Sequence, residues 1–276
     1  MEDRSQRYWQ APAFDGPYTV PADGGVLAPA GHYAGRVCRW RDLDLFVAWH
    51  RPMLAPGVWA DYDWPAWGTR VNIYGKISTP PLVLRRRADG SLQRSSFPGW
   101  EAYRAAPPTR PAWAGSSLFR GKSVSGWEVA PAEGADLAVS ADEMGDFLFE
   151  GELTLDAPAG GLGLRLDERG GGYIVELAPG RDEVTLQAWL PPTDQPTYGY
   201  QEIQRGRLFR PLDAGRPVPF RLLSVGSYVE LELDGEVVLA TFTGRRTVGQ
   251  VGLWAEGGRP SIADARLSPM RRPVNI

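Results

Sequence analysis

The densest group of site-forming side chains in this sequence is Trp59-Ala-Asp-Tyr-Asp-Trp-Pro-Ala-Trp67, where Asp61 and Asp63 alternate with Tyr62 and Trp64. An aromatic face stacks on the apolar face of a sugar ring, and a neighbouring carboxylate takes its hydroxyls. Asp61 and Asp63 could equally hold a cation, or the segment could be an aromatic plug closing one end of a fold. Trp49-His50 offers a second pairing of a stacking ring with a polar neighbour; a tryptophan packed between sheets has the same signature. Asp142–Asp146, Asp167-Glu168 and Glu202 are acidic points in or near turns. Carboxylate pairs serve acid–base chemistry, but pairs in turns are far more often solvated, so no catalytic residue is assigned among them. Gly170–Gly172 lacks the Lys and Ser/Thr of a phosphate-cradling loop.

These groups need a scaffold, and composition narrows it. Gly (33) and Pro (25) are abundant and scattered through 276 residues, and helix-period stretches are hard to find. That combination predicts an all-β chain of short strands and many turns. A net charge of −3, with arginines interleaved among acids, implies no polyanion, so no nucleic-acid partner is expected. Cys38 is the single cysteine and His32 and His50 are the two histidines, so no metal cluster, internal disulfide or cofactor site is expected. The first residues lack an apolar leader core and no run reaches membrane-span length, which sets the expectation of a cytoplasmic chain with no membrane contact.

Alternation places the strands. Tyr228, Glu230 and Glu232 alternate with Val229, Leu231 and Leu233, the period of a half-buried strand. Asp234-Gly235 then predicts a tight hairpin, because a type I′ turn needs positive φ at both central residues. Val237–Phe242 returns, and Val251–Ala255 extends the set as a third strand of a meander. Further strands are predicted over Phe147–Leu155, Gly160–Leu166, Tyr173–Leu177, Glu183–Trp189, Gln201–Leu208 (an edge) and Ser261–Leu267. About eight to ten strands at this spacing make a two-sheet sandwich. Its inward positions are Leu162, Leu164, Leu166, Ile174, Leu222, Leu231 and Leu253. Nine of the eleven tryptophans lie at or before Trp127, which marks a different leading region. That region reads as a meander over Tyr33–Trp40, Leu43–His50, Val71–Ile77, Pro81–Arg86 and Leu92–Ser95. The Pro-rich Ala105–Ala114 is the linker candidate.

The stretches His32-Tyr33-Ala34-Gly35-Arg36, Phe46-Val47-Ala48-Trp49-His50 and Ser78-Thr79-Pro80-Pro81-Leu82, with Asp89-Gly90 and Leu92, carry a resemblance. Together they look like the last blade of the five-bladed propeller of glycoside hydrolase family 32, whose members are invertases, fructanases and levanases. That family follows its propeller with a β-sandwich, and residues from about 115 onward fit that role. The resemblance implies residues 1–110 as last propeller blade or blades and residues 115–276 as a concanavalin-like antiparallel β-sandwich. It also implies that Tyr33 and Arg36 border a sugar pocket, a guanidinium and a phenol being suited to polyhydroxylated ligands; an inter-blade hydrogen bond accounts for them as well.

The departures are as informative. The family's Trp-Met-Asn-Asp-Pro-Asn-Gly, Arg-Asp-Pro and Glu-Cys motifs are absent, and Cys38 follows Val37. A retaining glycosidase needs two carboxylates about 5–5.5 Å apart. The resemblance therefore implies fructoside-type chemistry for the architecture, with the non-catalytic portion in this chain. The substrate-binding candidates are Tyr33, Arg36, His50, Asp61 and Trp64, and the expected partner is carbohydrate. The missing blades on a separate chain, or self-association, are expected to cover a lone blade, which would otherwise expose Val37, Phe46 and Trp49. The rival expectation is a lectin-like carbohydrate-binding sandwich with no enzymatic activity.

Overall fold

The structure, a computed structural model, describes residues 6–21, 24–28, 31–50, 77–115, 135–167, 171–190, 199–243 and 247–273. The described residues form four antiparallel sheets of two, five, five and seven strands, with one 3-10 turn at Pro98–Tyr103. In chain order the leading strands are β1 (Gln6–Arg7), β2 (Val26–Ala28), β3 (His32–Trp40), β4 (Leu43–His50), β5 (Ile77–Ser78), β6 (Leu82–Arg86) and β7 (Leu92–Ser95). They are followed by β8 (Trp113–Gly115), β9 (Ala135–Ser140), β10 (Phe147–Thr154), β11 (Ala159–Leu166), β12 (Gly172–Leu177) and β13 (Glu183–Leu190). The last six are β14 (Gly199–Arg207), β15 (Val218–Val225), β16 (Tyr228–Leu233), β17 (Glu236–Phe242), β18 (Gln250–Glu256) and β19 (Ser261–Pro269). The all-β sandwich expected from alternation and turn chemistry is the observed fold.

The sandwich pairs a five-stranded sheet, β17-β16-β15-β10-β19, with a seven-stranded one, β14-β13-β12-β11-β18-β9-β8. Its core is almost wholly aliphatic and aromatic: Phe147, Phe149, Leu162, Leu164, Val175, Leu186, Leu222, Leu231 and Leu253 pack in one cluster. The β16–β17 hairpin turns through Asp234 (φ 50°) and Gly235 (φ 76°). Both central residues are left-handed, as a type I′ turn requires. One side of the sandwich is closed by an amide clamp. The Gln204 side chain donates to Ala240 O and accepts from Ala240 N, both at 2.9 Å, which satisfies the Ala240 backbone on the edge strand β17. Gly206 sits beside it because a Cβ there would lie 1.9 Å from Val238 O.

Two placements differ from the sequence reading. β18 does not continue the meander after β17; it crosses to the other sheet and pairs with β11 and β9. An alternating strand carries the same signal in either layer, so the pattern cannot say which sheet takes it. Leu166 and Ile174 pack with Leu137, Val139 and Trp254 in a separate cluster, not in the inter-sheet core. A register shift between Gly163 and Leu166 turns Leu166 to the other face, and Ile174 alternates with the inward Tyr173 and Val175.

The leading sheet, β3-β4-β6-β7 with β5 on β4, forms a third layer. Phe46, Ala48, Leu82, Leu84 and Trp100 from this side pack against Leu148, Leu223, Val225, Tyr228, Ala240 and Phe242 of the five-stranded sheet. Phe46 is 1% exposed and Trp49, on the other face of β4, is 48% exposed; Val37, opposite Phe46 in register, is 55% exposed. A lone blade was expected to leave both faces open; docking onto the sandwich buries the face that carries Phe46. The proline-rich segment runs over the surface beside β19, with residues 105–110 exposed. Its bridges Arg104↔Met270 and Thr109↔Leu267 run beside β19, and β8 then joins β9. Val71–Lys76, Asp61 and Trp64 lie outside the described residues.

Candidate functional sites

Two surfaces collect the polar side chains, and strand register decides which residue goes to each. Along β4, Phe46, Ala48 and His50 face the sandwich, so Val47 and Trp49 face away. Arg36 pairs with Val47, which puts it on the outward face near Trp49. Arg36 is exposed, and its Nη1 donates to Gly35 O at 3.0 Å. The backbone reaches this point through a register shift between Tyr33 and Arg36, with Ala34 at φ 51°. Tyr33 pairs with Trp49 through the backbone. The outward face thus presents a guanidinium and a large exposed indole on neighbouring strands, suited to hydroxyls and to a ring face respectively.

His50 points the other way. It is 3% exposed, and its Nε2 lies 2.9 Å from Thr241 Oγ1 on β17. Its ring meets Phe242 edge-on at 5.2 Å between centroids and His32 at 5.9 Å. Burial, aided by His32, pulls its pKa down to about 3, so the imidazole is neutral across the physiological range. In this position His50 joins the leading sheet to the sandwich and is away from solvent.

The rest of that interface carries a charge network which sequence reasoning did not identify. Arg94 on β7 donates to Glu236 Oε1 from Nη2 at 2.6 Å and from Nε at 3.2 Å, and Arg87 holds the other carboxylate oxygen. Ser96 N donates to Glu232 Oε2 at 2.7 Å. Arg221 donates to Ser96 Oγ at 3.0 Å and pairs with Glu101. Arg104 donates to Glu150 Oε2 at 2.8 Å and to Ser268 Oγ at 2.6 Å. Tyr228 donates its hydroxyl to Glu230 Oε2 at 2.6 Å. Glu230 is 1% exposed, and burial raises its pKa above the ordinary carboxylate value. The polar stripe of β16 was expected to face water; it lies beneath the leading layer, where Ser96 N donates to Glu232, Tyr228 donates to Glu230, and the arginines Arg94 and Arg87 meet Glu236 on the adjacent β17. The available signal was the basic run Arg85-Arg86-Arg87 and Arg94, facing an acidic stripe more than a hundred residues away.

Chemically, these carboxylates are engaged by guanidinium, hydroxyl or amide donors, a pattern that fixes two layers together. Among the described residues, no group of three or more His, Cys, Asp or Glu side chains is placed to hold a metal ion.

No family model matches the chain, and no curated protein matches it. Solved structures do. A GH32 β-fructofuranosidase from Bombyx mori aligns over 88% of this chain and 41% of its own, at 14% identity and a TM-score of 0.50. A variant of that enzyme in complex with sucrose aligns over the same shares at the same score. The carbohydrate binding module CBM66 from Bacillus subtilis aligns over 58% of this chain and 97% of its own, at 17% identity and a TM-score of 0.49. The chain therefore spans about two-fifths of the silkworm enzyme. At this identity the likeness to the silkworm enzyme is one of fold alone.

Proposed function

We propose that this chain is the closing portion of a glycoside hydrolase of the family 32 type, consisting of one propeller blade docked on its trailing sandwich. On this reading it supports carbohydrate handling without itself cleaving a glycosidic bond. The observation that carries it is the asymmetry of the leading sheet. One face is locked to the sandwich by the Arg94–Glu236–Arg87 triad, while the other presents Arg36 and Trp49 as the face of a propeller blade would. The fold likeness to the silkworm β-fructofuranosidase, which covers both regions, supports this reading. Tyr33, Arg36, Asp61 and Trp64 are the proposed sugar contacts, and His50 is proposed to support the sheet from its sandwich-facing side. The partner proposed for the outward face is a set of further blades or, in their absence, a second copy.

The test has two arms. Incubated with sucrose, levan and inulin, the chain is expected to release no reducing sugar above blank; turnover would refute the non-catalytic assignment. In light scattering it is expected to self-associate, and Trp49→Ser is expected to shift it towards monomer. A monodisperse monomer would sink the blade reading in favour of a self-contained carbohydrate-binding protein. That second reading is favoured by one observation, the continuous core that the leading sheet shares with the sandwich.

A further inference from the structure

A cavity of about 200 Å³ opens at the seam between the leading sheet and the sandwich, remote from Arg36 in the strand order. Its rim is set by Arg87 after β6, the segment between β14 and β15 with Phe209, Arg210, Asp213 and Arg216, and the β16–β17 turn with Asp234. Its floor is apolar, formed by Leu212, Val218 and Leu233. That volume corresponds to roughly six or seven waters, the scale of a single sugar ring.

We propose that this cavity binds one ring of a neutral saccharide; the proposal rests on the carbohydrate reading above and adds a site to it. Three features select that ligand class. First, each guanidinium of the rim faces a carboxylate: Arg87 shares Glu236 with Arg94, Arg210 pairs with Asp234, and Arg216 with Asp213 at 3.1 Å. An anion would find each guanidinium already matched by a carboxylate, whereas a hydroxyl both donates and accepts and can bridge the two. Second, the Arg210–Asp234 and Arg216–Asp213 pairs are more than half exposed at every side chain. Such pairs hold together weakly and exchange readily for ligand contacts. Third, Phe209 is 44% exposed, with the Arg87 guanidinium 3.9 Å from its ring centroid. One side of the ring is fixed by that cation, and its exposed remainder offers an apolar platform for the C–H face of a sugar. Because Arg87 belongs to the leading sheet and Phe209 to the sandwich, an occupant would bridge the two.

The full chain is titrated with fructose, glucose, galactose and short fructo-oligosaccharides by saturation-transfer NMR and calorimetry. Phe209→Ala, Arg210→Gln and Arg36→Ala are run in parallel, each checked for an unchanged melting transition. At least one neutral sugar is expected to bind, with Phe209→Ala weakening it about tenfold or more and Arg210→Gln weakening it less. Binding that survives Phe209→Ala and Arg210→Gln but is lost in Arg36→Ala overturns the cavity and keeps the carbohydrate reading. Absence of any sugar binding overturns both. Inorganic phosphate binding in place of sugar overturns the neutral-ligand assignment.

Discussion

The two faces of the five-stranded sheet solve different problems with the same strands. Inward, Phe149, Phe220, Leu222, Val229 and Leu231 meet the seven-stranded sheet in an apolar core. Outward, Glu236 pairs with Arg94 of the leading sheet, Glu232 and Arg221 bond to Ser96 just after it and Glu150 pairs with Arg104, so burial beside the cluster of Phe46, Leu82, Leu148, Leu223 and Phe242 is accompanied by ion pairs and hydrogen bonds. The inner face gains its stability from area removed from water, which is nondirectional. The outer face must satisfy each charge it buries, so only one placement of the leading sheet serves. A buried ion triad adds little net stability over a packed apolar substitute, yet breaking it is costly. The inner face thus holds the sandwich together, and the outer face fixes where the third layer sits.

The largest effect should come from cutting the network. Glu236→Ala removes the carboxylate that Arg94 and Arg87 share and leaves the buried Arg94 charge uncompensated, and a loss of about 3–5 kcal/mol is expected. Hydrogen exchange checks the location: amides of β6 and β7 should lose protection while those of β11 and β12 keep it. Leu231→Ala, at about 2–5 kcal/mol, should instead weaken both sets. Equal loss everywhere in Glu236→Ala would erase the contrast between the faces.

The next effect is pH-dependent and belongs to the outer face alone. With His50 at about 3 in the fold and 6.5 unfolded, the unfolded chain binds a proton in that window that the folded chain does not. Stability conferred by neutral His50 is therefore complete above pH 6.5 and falls as the pH drops, by about 1.4 kcal/mol per unit. His32 faces the same ring and contributes to that depression. Melting curves from pH 7.5 to 5 should show the slope, and His50→Gln should flatten it.

The smallest effect has the opposite sign. The raised pKa of Glu230 means that ionising it costs the fold stability as the pH rises above 4.5. Glu230→Gln keeps an acceptor for Tyr228 and removes that cost, so stability at pH 8 should be unchanged or higher by about 1 kcal/mol. Marked destabilisation would show that the charge itself is needed there.

The inner face was legible in the sequence and the outer one was not, for a physical reason. Alternation reports which residues of a strand share a face, so Leu222, Leu231 and Leu253 could be placed in the core from their spacing alone. Asp234-Gly235 announced its turn because few residue pairs accept positive φ twice. The stripe of Tyr228, Glu230 and Glu232 has the composition of a solvated face. It is buried because Ser96 and Arg221 meet it and Arg94 meets the neighbouring Glu236, and complementarity between distant segments has no period to read. For the same reason β18 could be recognised as a strand but not assigned to its layer. Of the site candidates, the spacing that paired Trp49 with His50 did not reveal that adjacent strand residues point to opposite faces, one outward and one into the seam.

β10 lies between β15 and β19, with Phe147 opposite Ser224 on one side and Pro269 on the other. Its two neighbours are therefore made long after it. During synthesis, an apolar strand must wait for more than a hundred further residues before its sheet can close, and contacts of such long sequence separation form slowly. Until β19 is in place the β10 edge stays bare, a template for pairing with another chain.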